Sequence, residues 1–162
     1  MSHHKEKYLD SMWVLAMINE MIEESIYHTE TFAHSLKAHH NDNAAKVFDR
    51  TCEKFKAEQS IVLNYTLNVD FPNIPPWEMP YSEYKHPATV LIDSTYLMTE
   101  AEAWKLMNAM IKIHNSFYHF LHKETKEGDV YHIIDELVNH CNQCTQENKE
   151  QELNAEANRG YL

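Results

Sequence analysis

The sequence predicts an all-α protein, a four-helix bundle made of two similar antiparallel helical hairpins joined by a long crossover. Two observations support this prediction. The first is that helix-breaking residues are few and confined to one region: the chain has only two glycines, and all five prolines lie between residues 72 and 87. The second is an internal repeat in which identical residues recur 91 positions apart, and these are Trp13/Trp104, Ile22/Ile113, Ser25/Ser116, Tyr27/Tyr118 and His28/His119.

Four segments have the apolar period of an amphipathic helix. The predicted helices cover about residues 7–39, 44–69, 99–126 and 129–150, all in a single domain spanning 1–162. Residues 41–43 supply turn and cap residues between the first two helices, Thr99 is a candidate cap for the third, and Gly128 turns the chain before the fourth. Residues 151–162 are predicted to form a polar C-terminal tail, either helical or frayed.

The segment 70–98 between the second and third helices is rich in proline and aromatic residues. This composition is typical of an ordered connection packed on the surface and not of a flexible linker. A long middle connection between two short turns predicts a crossover that runs the length of the bundle. An inserted lid is the alternative interpretation.

Composition limits the functional classes. A formal net charge of −11 disfavours nucleic-acid and anionic-membrane partners. No stretch is apolar for long enough to span a membrane, and no signal segment is recognisable. Three cysteines without a disulfide-scaffold spacing favour a reducing compartment, so a cytoplasmic location is expected. His3 and His4 are given no role as ligands.

The repeat resembles the rubrerythrin-related branch of the ferritin-like superfamily, whose paired hairpins surround a carboxylate-bridged di-iron centre. In that family the first helix of each hairpin carries a metal-binding Glu seven residues before a Tyr, and the second carries Glu-x-x-His. Glu20 precedes Tyr27 by seven residues, whereas Ile111 holds the corresponding place before Tyr118. The resemblance implies a ferritin-like bundle with a degenerate or altered metal site.

In the second helix, aligning Phe48 with the family's aromatic residue places Phe55 and Glu58 at the family's Glu and His positions. Helical phase supports this register, with Glu53 pointing away. Aligning Ile134 with Phe48 places Cys141 and Cys144 at the same two positions in the fourth helix. Loss of carboxylates makes an ordinary di-iron peroxidase site improbable, since two cations need several hard oxygen ligands.

The resulting candidate metal ligands are Glu20, Glu58, Cys141 and Cys144, which would hold iron or zinc. The secondary candidates are Glu24, His28, Glu53 and His140. The alternative interpretation of the cysteines is that they are small buried hydrophobes, with Glu20 accepting a hydrogen bond from Tyr27 or Tyr118.

Three functional hypotheses follow. The first is a rubrerythrin-like metal-binding protein with a non-standard centre, either redox-active or not, whose redox partner the sequence does not identify. The second is a bundle without metal that acts as a homodimeric interaction protein, through helix faces or the crossover. The third is an ordinary di-iron oxidase in a different register, recruiting Glu53, Glu102, Glu136 or His140.

Overall fold

The computed structural model describes residues 10–67, 69–125 and 128–159, and contains four α-helices. They are α1 (Ser11–Ala38), α2 (Asp42–Tyr65), α3 (Glu100–Glu124) and α4 (Gly128–Arg159). Within these ranges there is no β-strand, so the all-α prediction is confirmed. The described helices include none that is both long and apolar enough to cross a membrane. The predicted start of the first helix at residue 7, like His3 and His4, lies outside the described residues.

Side-chain caps fix where the first three helices begin. The carboxylate of Asp10 accepts from the backbone N–H of Met12 at 3.0 Å. The Asn41 amide oxygen accepts from Ala44 N at 3.3 Å, and the Thr99 hydroxyl accepts from Glu102 N at 3.1 Å. Each cap satisfies a backbone donor that has no partner within its own helix. The second helix thus begins at Asp42, two residues before the predicted 44, and the third at Glu100, one residue after the predicted 99.

A short turn links α1 to α2. Asn41 N donates to Leu36 O at 2.8 Å and His40 N donates to Lys37 O at 3.0 Å. These two bonds form a Schellman motif, which requires a left-handed residue after the helix end. His40 fills that position with a φ of 61°. The turn thus takes three residues between the end of α1 at Ala38 and the start of α2 at Asp42.

The buried faces of α1 and α3 do not follow the 91-residue repeat. Tyr27 is 63% exposed while Tyr118 is fully buried, and Ser25 is buried while Ser116 is exposed. Identical residues of the repeat therefore lie in different environments on the two helices. Burial instead matches at a spacing of 89, in the pairs Ile18/Met107, Ile22/Ile111, Ser25/His114 and Thr29/Tyr118. A shift of two residues turns a side chain by about 200° around a helix, which explains why identical residues face differently.

The buried faces of α2 and α4 agree with the alignment of Phe48 with Ile134. At this spacing of 86 residues, buried positions coincide along both helices, in the pairs Phe48/Ile134, Phe55/Cys141, Glu58/Cys144 and Val62/Asn148. Helical phase therefore predicts which residues of α2 and α4 face the core.

The connection between α2 and α3 packs against the helices, as its composition predicts. It contains two 3₁₀ turns, Pro76–Glu78 and Pro87–Leu91. The Tyr84 ring stacks on Phe117 of α3 with 4.1 Å between centroids. Farther along, the Asn41 amide donates to the carbonyls of Tyr96 and Met98 at 2.9 and 2.8 Å. The connection thus reaches the α1–α2 turn before α3 begins.

Helix α4 is longer than predicted, since it continues through the expected tail to Arg159. Asn108 on α3 donates to Glu152 at 3.0 Å, and Lys105 pairs with Glu156 at 3.3 Å. These polar contacts hold a segment whose apolar period is too weak to predict a packed helix. Residues 160–162 of the predicted tail lie outside the described ranges.

Candidate functional site

The candidate site is a buried polar cluster around the carboxylate of Glu58 on α2. Its Oε2 accepts from His114 Nδ1 at 2.6 Å and from the Tyr118 hydroxyl at 2.5 Å, both on α3. Its Oε1 accepts from the Cys141 thiol on α4 at 3.5 Å. Three donors therefore converge on one carboxylate that is only 2% exposed.

The imidazole of His114 extends this cluster to α1. Its Nε2 lies 2.6 Å from Ser25 Oγ, and its ring stacks on Phe55 with 4.5 Å between centroids. A carboxylate only accepts, so Nδ1 carries a proton, and Nε2 accepts from the Ser25 hydroxyl whenever the ring is neutral. All four helices thus supply groups to one level, and we call Ser25, Glu58, His114, Tyr118 and Cys141 the central cluster.

Electrostatics favour an ionised Glu58 at the middle of this cluster. Burial alone would raise the pKa of Glu58, but the charge and hydrogen bond of His114, the Tyr118 hydroxyl and the charge of His140 together lower it. Burial and the negative charge of Glu58 raise the pKa of Tyr118 and of Cys141, so both remain protonated donors. The cluster therefore has its protons on the phenol, the thiol and the imidazole.

The four primary metal-ligand candidates are not gathered at one point. Glu58 meets Cys141, but the Cys144 thiol lies 3.5 Å from His140 Nε2, which also donates to the carbonyl of Lys54 at 3.0 Å. Burial raises the pKa of Cys144 to about 11. Glu20 is half-buried, and its pKa is raised by burial and by Glu23 and Glu24.

The secondary candidates lie in separate places. Glu53 is exposed, as its helical phase predicts, and pairs with Lys56 at 3.4 Å. Glu24 and His28 contact each other on α1 at 3.3 Å. The predicted hydrogen bond from a tyrosine to Glu20 is replaced by one from Tyr118 to Glu58.

Sequence reasoning missed the roles of His114, Ser25 and His86. His114 shares a helical face with Met107, Ile111, Tyr118 and Leu121. A single histidine on a largely apolar face is the sequence feature that indicates a buried polar role for it. Ser25 was counted only as a repeat residue. His86 follows no helical period, and nothing in the sequence places it near α1.

Comparison with protein-family models, curated proteins and solved structures gives no significant match. The fold and the site thus define the chain as an all-α protein with a buried acid–base cluster supplied by all four helices.

Replacing Tyr118 with phenylalanine tests the hydrogen bond at the centre. The variant loses one donor to a buried carboxylate, so we expect the free energy of unfolding to fall by about 1.5–3 kcal/mol. Urea unfolding followed by circular dichroism measures the loss. Tyr27→Phe is the matched control at the repeat position, and its exposed ring predicts a change within about 0.5 kcal/mol. Equal losses in the two variants would contradict the asymmetry of the two tyrosines.

Proposed function

We propose that this chain is a ferritin-like, rubrerythrin-related protein that binds one divalent transition-metal ion at a non-standard centre formed by Glu58, His114 and Cys141. The observation that carries the proposal is the convergence of groups from all four helices on the Glu58 carboxylate. Metal sites of four-helix bundles are built in this way from facing side chains. Buried ionisable groups cost stability, and proteins keep them mainly where they have a function.

The order of contacts supports the ferritin-like arrangement. Along α1 and α2, Asn19 contacts Gln59 and Phe32 contacts Phe48, so residue numbers rise on one helix as they fall on the other. Along α3 and α4, Asn108 contacts Glu152 and, near the other end, the His122 ring packs on Tyr131. Two antiparallel hairpins joined by the crossover fit both sets of contacts.

The 89-residue register also gives a simpler account of the family positions. In this register Ser25 and His114 hold corresponding buried positions on α1 and α3, and in this proposal they stand in place of the family's carboxylates. Phe55 with Glu58, and Cys141 with Cys144, occupy the two Glu-x-x-His places. In this proposal Glu20 is not a ligand, and Ser25 takes its place in the centre.

The donor set favours a borderline ion such as zinc over a di-iron pair. One carboxylate, one imidazole and one thiolate suit zinc, whereas two irons need bridging carboxylates. Two ligands of one tetrahedral ion lie about 3.3 Å apart, given metal–ligand bonds near 2.0–2.1 Å. The 2.6 Å contact between His114 and Glu58 would open by less than about 1 Å. The ligand atoms of Glu58, His114 and Cys141 do not all lie within 4.8 Å of one another, so they would draw together as the ion displaces the shared proton and the thiol proton.

A surface cavity offers an approach to the α4 side of this centre. Its volume is about 650 Å³, and its lining includes Lys54, His140 and Cys144. His140 and Cys144, which lie before and after Cys141 on α4, contact each other at 3.5 Å. An ion entering here would meet a thiol and an imidazole before it reached the central cluster.

Cobalt titration of chelator-treated full-length protein tests the proposal. We expect one cobalt ion per chain to produce thiolate-to-cobalt absorption, because Cys141 would bind as a thiolate. Cys141→Ser should remove the absorption, and Cys52→Ser, the matched control at a buried cysteine outside the cluster, should leave it unchanged. Cys144→Ser separates the two thiols of α4. Absorption that survives Cys141→Ser, or no cobalt absorption in the parent protein, would refute this centre.

The second candidate function is a homodimeric interaction protein that needs no metal. It is favoured by the completeness of the central cluster, since Glu58 already accepts from three donors. The connection between α2 and α3 also exposes large apolar side chains, and Trp77, Ile92 and Leu97 are 81%, 74% and 92% exposed. Sedimentation equilibrium of the protein without metal would detect such a dimer.

A further inference from the structure

A second cluster of metal-binding groups joins α1 to the connection between α2 and α3, and shares no residue with the central cluster. His86, in the connection between α2 and α3, places its Nε2 3.4 Å from Glu24 Oε2. His28, one turn after Glu24 on α1, places its Nε2 3.3 Å from the same oxygen. Of the residues the structure describes, only these three form a group of three or more potential ligand atoms within 4.8 Å of one another.

The geometry points to a zinc-type divalent metal site formed by Glu24, His28 and His86. Two imidazole nitrogens and one carboxylate oxygen are a recurring ligand set for zinc, which leaves a fourth position for water. This inference is independent of the proposed central metal site.

The distances distinguish this group from an ordinary hydrogen-bonded cluster. Charge-assisted N–H···O bonds are about 2.7–2.9 Å long, so the contacts of 3.3 and 3.4 Å to Glu24 are long. They match the separation of about 3.3 Å between two ligands of one tetrahedral ion with bonds near 2.0–2.1 Å. All three ligand atoms lie within 4.8 Å of one another, so small side-chain movements would bring them to this separation.

Neighbouring groups orient the two histidines. The rings of His28 and His86 meet edge to face at 5.7 Å between centroids, and Tyr81 packs on His86 at 4.9 Å. The three ligand side chains are about one-third exposed, with values of 34%, 32% and 29% for Glu24, His28 and His86. They are therefore held in place yet open to an ion from solvent.

Protonation imposes one change when the ion binds. His86 Nδ1 accepts from Ala88 N at 3.0 Å and thereby caps the 3₁₀ turn Pro87–Leu91, so its neutral ring carries the proton on Nε2. Coordination through Nε2 moves this proton to Nδ1 and ends the bond to Ala88.

The site would fasten the connecting segment to α1. Glu24 and His28 belong to one rigid helix, whereas His86 belongs to the connection, so an ion shared by all three links the two elements. A ligand that binds only the folded chain raises its melting temperature. We therefore expect zinc to raise Tm through this site.

Calorimetric zinc titration tests the inference in a full-length parent protein that carries His3→Ala, His4→Ala and Cys141→Ser. These changes remove the terminal histidines and the proposed central thiolate, so failure of the central site does not affect the outcome. We expect one zinc ion per chain, and His86→Ala or Glu24→Gln should weaken binding at least about tenfold. Zinc should also shift the amide resonance of Ala88.

The matched control is His119→Ala, since His119 is exposed and corresponds to His28 in the 91-residue repeat. It should leave zinc affinity and the rise in Tm unchanged. Circular dichroism verifies that each variant remains folded before titration. Zinc binding that is equally strong in His86→Ala and Glu24→Gln, or no zinc binding by the parent protein, would overturn the site.

Discussion

Replacing Glu58 with alanine is expected to lower the free energy of unfolding by about 3–5 kcal/mol. The side chain is 2% exposed and accepts from His114, Tyr118 and Cys141. Its loss leaves three buried donors without their acceptor and opens a cavity among the four helices. Urea unfolding of the variant and of the wild-type protein gives the difference directly.

The control for this substitution is Glu53→Ala on the same helix. The Glu53 side chain is 72% exposed and pairs with Lys56 at 3.4 Å, so its removal should change stability by less than about 1 kcal/mol. A loss from Glu58→Ala no larger than that from Glu53→Ala would show that the central cluster contributes no net stability.

The pH dependence of unfolding separates the charge of Glu58 from its packing. The pKa of Glu58 in the folded chain lies below its ordinary value of 4.5, so the unfolded chain takes up this proton first as pH falls. The stability that ionised Glu58 contributes is complete above about pH 4.5 and is lost as pH falls through the lower folded-state pKa. Glu58→Gln, which keeps the shape and cannot ionise, should show a shallower loss in this range. Parallel curves for the two proteins would contradict an ionised Glu58.

Replacing Trp104 with alanine is the second large effect expected, again about 3–5 kcal/mol. Trp104 is 2% exposed in the core, while its repeat counterpart Trp13 is only partly buried. Trp13→Ala should therefore cost less. Thermal and urea unfolding of both variants measure the two losses.

Trp104→Phe refines this prediction, because it retains most of the apolar ring. The indole N–H of Trp104 is buried and finds no hydrogen-bond partner among the described residues. Removing that donor should offset part of the lost packing, so the phenylalanine variant should be much closer to wild type than the alanine variant. Equal losses at Trp13 and Trp104 on replacement by alanine would indicate that the 91-residue repeat does reflect equivalent packing.

The sequence by itself determined the all-α class and the approximate helices. The prolines are confined to residues 72–87, the chain has only two glycines, and apolar residues recur with a helical period in the other segments. It also determined which residues of α2 and α4 face the core, since Phe48, Phe55 and Glu58 lie on one face of their helix. Local propensity and periodicity suffice for these features, because they depend on residues three or four positions apart.

Only the tertiary structure decided how α1 and α3 face each other and which polar groups meet. Identical residues suggested a register of 91, but burial follows 89, and two residues of helix rotate a side chain to nearly the opposite face. That rotation brings Ser25 and His114 to the centre and takes Tyr27 to the surface. The contact of His86 with Glu24 depends likewise on the path of a connection without helical period. Such pairings join residues far apart in sequence, so packing across the whole bundle fixes them.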